Sequence, residues 1–123
     1  MSAQLAPETR RLWHFHGGLH LDDHKTASTG LPITVAAVPQ RLVIPLDQHI
    51  GQGAEPLVKP GDKVLRGQLI GRPSGFVSAS VHAPTSGRVV AIADLPVPHP
   101  SGLSALCVVL EADGEDRWAE LPE

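Results

Sequence analysis

The chain has 123 residues, 41% of them hydrophobic, and a formal net charge of −3, which suits one domain with its own core and not two. The acidic balance and an aromatic complement of two Trp, two Phe and no Tyr argue against nucleic-acid binding, which draws on cationic surface and stacking rings. No apolar run nears the length of a bilayer crossing, and the start MSAQLAPETRR lacks the apolar stretch of a secretion signal, so the chain itself is expected to be soluble.

Taken in chain order, residues 1–32 read as an extended His- and Gly-rich arm. Trp13 and Phe15 are placed to anchor it by burial, and Gly17-Gly18 lets its backbone pass close to a neighbour. His14, His16, His20 and His24 fall within this arm. His14 and His16, two apart, would share a strand face and reach one metal ion. The glycine pair breaks the rigid frame that a dedicated zinc site needs, so adventitious affinity suits this segment better than a purposeful site.

Residues 33–118 read as the domain proper, with 119–123 as a tail leading to further domains. Twelve Gly and twelve Pro rule out long helices and predict short strands joined by turns. ITVAAV at 33–38 and LVIPL at 42–46 read as strands, with Pro45 fit only for an edge or a bulge. Pro60-Gly61-Asp62 reads as a corner in which the Asp62 carboxylate caps free turn amides. GQLIG then runs out to a tip at GRPSG, residues 71–75, and FVSASVHA at 76–83 returns. Its alternation puts Val77, Ala79, Val81 and Ala83 on one face. Pro84-Thr85-Ser86-Gly87 makes a second corner, where positive φ is expected at the glycine. RVVAIA at 88–93 and LCVVLEA at 106–112 are apolar on both faces, as strands between layers would be. PVPHPSG between them is a stiff extended loop.

Residues with chemical potential are better explained by structure. Cys107, the single cysteine, sits in a strand and reads as a buried small hydrophobe, unable to form an internal disulfide or to hold a cysteine-ligated cluster alone. His49, His82 and His99 have no carboxylate or nucleophile at a motif distance. Ser86 and Ser101 lie beside glycines, yet G-x-S-x-G is missing and turn serines are common. Lys59 and Lys63 flank the first corner as solvated charge. No catalytic, cofactor-binding or metal site is assigned.

The run VKPGDKVLRGQLIG leading to HAPTSGRVVAI, residues 58–71 and 82–92, resembles the biotinyl/lipoyl family of barrel-sandwich hybrids, flattened barrels of two interlocked halves. The resemblance implies an all-β fold. In carrier members the hairpin tip displays an acylated lysine. Here the tip reads RPSGF and the lysines are Lys25, Lys59 and Lys63, so a carrier module would lack its attachment residue.

A longer resemblance joins WHFHGGLHL at 13–21, LVIPLDQHIG at 42–51, EPLVKPGDKVLRGQLIG at 55–71, VHAPTSGRVVAI at 81–92, PVPHPSGLS at 96–104 and DGEDRW at 113–118. Together they resemble the N-terminal domain of the RnfC family, a component of the Rnf electron-transport complex. The resemblance implies the NADH-side peripheral subunit of a membrane-bound, ion-translocating NADH:ferredoxin oxidoreductase at the cytoplasmic face of the bacterial inner membrane. FMN, NADH and two [4Fe-4S] clusters would belong to downstream domains of the parent subunit, with none in this segment. The implied role is a non-catalytic structural and docking domain that contacts those domains and sister subunits. Separately, open strand edges lead us to expect weak self-association. A carrier-like module without its lysine and a His-rich metal-binding domain are the alternatives.

Overall fold

A computed structural model describes residues 16–19 and 21–122. The chain divides into two compact units, Met1–Val35 and Ala36–Glu123. In the first, the regular element among the described residues is α1, one turn at Thr26–Thr29. It closes on the Lys25 carbonyl, which accepts from the amides and the hydroxyls of Ser28 and Thr29. No helix among the described residues is long and apolar enough to cross a membrane.

The second unit is built from seven strands: β1 (Arg41–Pro45), β2 (Glu55–Pro56), β3 (Lys63–Val64), β4 (Leu69–Arg72), β5 (Val81–His82), β6 (Gly87–Pro96) and β7 (Ser104–Ala112). They form a four-stranded sheet in the order β1-β7-β6-β3 and a three-stranded sheet in the order β2-β4-β5, with every pairing antiparallel. Pro45 lies on the edge strand β1, where its missing N–H breaks no ladder. The first sheet gives Ile44, Val64, Val89, Val108 and Leu110 to the core, and the second gives Ile70 and Val81. Leu46, Ala54 and Ala83 fill in from the connections. This is the all-β flattened barrel implied by the sequence.

The two corners interlock the halves. Beyond the first, β3 pairs with the start of β6, Lys63 opposite Arg88 and Val64 opposite Gly87. The Gly61 amide donates to the Val89 carbonyl at 2.7 Å, and the Val89 amide donates to the Asp62 carbonyl at 2.8 Å. The Asp62 carboxylate accepts from the Lys59 amide at 3.0 Å, the turn cap read from the sequence. At φ +98 Gly61 is in the left-handed region.

Gly87 is a correction. It is not among the positive-φ residues, and its glycine has another cause: a Cβ there would overlap the Glu111 carbonyl oxygen on β7. Two further expectations fail. Residues 33–38 form no strand; Pro32 and Pro39 bracket the segment, and Ile33 and Val35 are fully exposed. The strand expected at 76–83 shrinks to Val81–His82, leaving Val77 and Ala79 exposed, because Ser74, Val77 and Ser78 bond to a neighbouring loop and not to a ladder. β7 is apolar on both faces as expected, with Cys107, Val108, Val109 and Leu110 all buried. In β6 the continuous apolar look has a different origin, a shift in register between Val89 and Ala91 that leaves Val90 bulged and part-exposed.

Candidate functional site

The β4–β5 connection, residues 73–80, is the tip at which a carrier would show its lysine, and it contains none. It is organised around Ser78. That hydroxyl donates to the Gln52 carbonyl at 2.7 Å and accepts from the Ser74 amide at 3.0 Å. His49 Nε2 lies 3.2 Å from the same oxygen. Since the one hydroxyl proton goes to Gln52, the His49 ring donates through Nε2, and its buried Nδ1 has no hydrogen-bond partner among the described residues. The nearest carboxylate oxygen, Asp47 Oδ1, stands 4.0 Å from it. Ser74 Oγ donates to the Gly53 carbonyl at 2.6 Å, and the Gln52 amide donates to the Val77 carbonyl. Gly51, at φ +101, passes so close to Val77 that a Cβ would strike its carbonyl.

Four bonds thus fix the tip against the 49–53 loop, and the Ser74–Ser78 bond closes the tip on itself. What this frame presents outward is apolar: Phe76 is 104% exposed and Ile50 89%, with Val77 half-exposed beside them. The hydrogen-bonded loop thus holds a phenylalanine and an isoleucine in water.

A second network ties the segment after β7 to the second corner and to the β3–β4 connection. Ser86, fully buried, donates its hydroxyl to Asp113 Oδ1 at 2.7 Å and accepts the Arg117 amide at 2.9 Å. Asp113 also accepts the Glu115 amide. That bond first, then the Ser86 hydroxyl and Arg117, hold its carboxyl below the usual carboxylate range. Thr85 donates to Asp116 Oδ1 at 2.8 Å, while Arg66 meets Asp116 Oδ2 at 2.6 Å and lies 4.2 Å from the centre of the Trp118 ring. Arg66 and Trp118 form a parallel bridge, and Trp118 and Leu121 close on Gly67.

Other residues singled out in the sequence are scattered. Cys107 is buried with its thiol 3.2 Å from the Ala105 carbonyl, and burial pushes that thiol up. His82 is exposed, and His99 contacts Ser101 Oγ within its own loop. Lys59 and Lys63 are exposed at the first corner. Of the arm histidines, His16 and His24 are exposed and His24 lies against Asp22. His14 and His20, like Trp13 and Phe15, lie outside the described residues. Among the described residues no group of three or more His, Cys, Asp and Glu is arranged to hold a metal ion.

Comparison with known proteins is decisive for the family. The profile of the RnfC barrel sandwich hybrid domain matches residues 13–115. The chain belongs to this family. The C component of the ion-translocating oxidoreductase complex from Klebsiella pneumoniae is 53% identical over 110 residues, covering 89% of this chain and 14% of that protein. Those from Pseudomonas aeruginosa and Serratia proteamaculans are 54% identical over 107 residues and 48% over 110, covering 87% and 89% of this chain against 14% and 16% of theirs. The RnfC-type domain here thus spans about one seventh of the length of these relatives. A [4Fe-4S] cluster does not fit its donor set, since four thiolates are needed and the one cysteine is buried in β7.

Neither network is legible in the sequence. There Phe76 reads as the start of a strand, and only the lone aromatic beside P-S-G hints at display. For Asp113, Asp116 and Arg117 the signal is the D-G-E-D-R-W string, whose partners lie about 30 to 50 residues earlier.

Proposed function

We propose that this RnfC-type domain is a non-catalytic structural and docking module of the NADH-side peripheral subunit of an ion-translocating NADH:ferredoxin oxidoreductase, held at the cytoplasmic face of the inner membrane. In this reading residues 1–32 are an arm, 33–118 the docking domain and 119–123 a tail toward domains that carry FMN, NADH binding and two [4Fe-4S] clusters. Its part in electron transfer is to hold those centres at fixed distances from sister subunits.

One observation carries the reading: the tip is braced by Ser74, Ser78 and His49, yet displays Phe76 and Ile50 and has no amine for a cofactor. Preorganisation lowers the entropy cost of association, and displayed apolar side chains provide its gain. The test is Phe76→Ala/Ile50→Ala in the full-length subunit. Stability of the domain should change by less than about 0.5 kcal/mol because both side chains are in water, while retention of the subunit on membranes holding the other subunits should fall. Undiminished retention would overturn the docking role. Co-expression with biotin and lipoyl ligases should leave the intact mass unchanged, and a gain on any lysine would restore the carrier reading.

A further inference from the structure

The register of the four-stranded sheet builds a row of charge. Arg41 stands opposite Glu111, Glu111 opposite Arg88, and Arg88 opposite Lys63, so the four side chains leave one face. Three strand spacings make the row about 14 Å long. All four residues are exposed, and none forms an ion pair among the described residues, whereas Arg66, Arg72 and Arg117 are each paired. Within a chain of net charge −3, three cations are set against one carboxylate. Arg88 directly opposite Lys63 places like charges together, which costs stability in the isolated sheet. Clefts open beside the row, one of 540 Å³ lined by Lys63, Arg88 and Arg117 together with Glu111 and Asp113, the other of 400 Å³ bordered by Arg41, Glu111 and the bulged Val90.

The order plus, minus, plus, plus selects among ligands. A single phosphate reaches only the Lys63–Arg88 end. An anionic bilayer is a uniform plane of negative charge and would meet Glu111 along with the cations, with no way to place a neutral or cationic group there. An extended peptide with carboxylates spaced to meet Arg41, Arg88 and Lys63, and a cation or polar group facing Glu111, matches the whole row, and such patterned complementarity fixes register. We propose that this row docks an acidic, extended segment of another subunit of the complex. The inference rests on the docking reading and adds to it a second contact of defined chemistry.

The test uses the full-length subunit on membranes holding the other subunits, released by washing with rising NaCl. Lys63→Glu/Arg88→Glu should weaken retention about tenfold and flatten its salt dependence, with Lys63→Arg/Arg88→Lys behaving as wild type. The conservative double should melt as wild type, and the charge-reversed double, which sets a new carboxylate opposite Glu111, should stay folded with a melting temperature lowered by a few degrees at most. A photo-crosslinking residue in place of Val90 should join to a stretch rich in Asp and Glu on another subunit. Wild-type retention of the charge-reversed double would overturn the proposal. So would a crosslink to lipid, binding of the domain to phosphatidylglycerol vesicles that the double abolishes, or release by inorganic phosphate beyond that by chloride at equal ionic strength. Deleting residues 36–123 separates the two readings. Full retention without the domain refutes docking altogether, whereas loss on deletion with wild-type behaviour of the charge-reversed double refutes only the row.

Discussion

At Gly87 a methyl group has nowhere to go, because the carbonyl of Glu111 on the paired strand already fills the space. At Gly61 the space is open and only the backbone angle, φ +98, resists a side chain. Gly61→Ala should therefore cost about 1–2 kcal/mol, the strain of a non-glycine residue at positive φ. Gly87→Ala should cost about 3 kcal/mol or more, since two strands must part. Urea unfolding of both variants checks the order, and the reverse order would contradict the strand-contact account. That both positions need glycine was readable, but at Gly87 the reason was not: the obstacle comes from a residue 24 positions later, which no local pattern reports. Cys107 follows from its strand context and was legible. Its buried, upshifted thiol should react with a thiol reagent only as fast as the domain unfolds, so labelling in the native state should accelerate with added urea.

Among the elements, the segment 113–119 shows how side-chain bonds fasten an irregular stretch. The Asp113 carboxyl is held below its ordinary value by the Glu115 amide, Ser86 and Arg117. A lowered folded value means that its stabilisation is complete above the ordinary carboxylate range and is lost as pH falls through the depressed value. Asp113→Asn should thus lower stability near neutrality and remove part of the acid limb of a plot of urea midpoint against pH; parallel curves for the two proteins would refute the assignment. Arg66→Ala, which removes the ion pair to Asp116 and the contact with Trp118, should cost about 1 kcal/mol given its partial exposure. At the tip, Ser78→Ala should free the Ser74 and Gln52 groups, speeding hydrogen exchange at the Ser74 amide with only about 1 kcal/mol of global loss. These connections escaped sequence reading because alternation of apolar residues signals a ladder whether or not a ladder partner exists. FVSASVHA alternates, yet its Val77 and Ser78 bond to the 49–53 loop. The bulge at Val90 breaks the alternation of β6, so that Val89 is buried and Val90 part-exposed within one continuous apolar run.

For the molecule as a whole, the all-β flattened barrel was legible because glycine and proline frequency, two proline-glycine corners and the apolar runs of β6 and β7 agree with one another. The surfaces proposed to dock were not. Phe76 and Ile50 differ from core residues only in what surrounds them, and the Arg41–Glu111–Arg88–Lys63 row exists only once register is set, since its members are spread over 70 residues of sequence. Sheet pairing converts distant letters into neighbours, and that step is tertiary.

The parallel bridge between Arg66 and Trp118 has a mechanical side. The Arg66 amide donates to the Arg117 carbonyl and the Ala119 amide donates to the Arg66 carbonyl, so one residue grips the outgoing chain on both flanks of Trp118. A pull along that strand strains both bonds at once instead of opening them one after the other. The chain as far as Ala119 is therefore fastened to the barrel by two backbone bonds as well as by the Trp118 ring, and freeing it means giving up all three together.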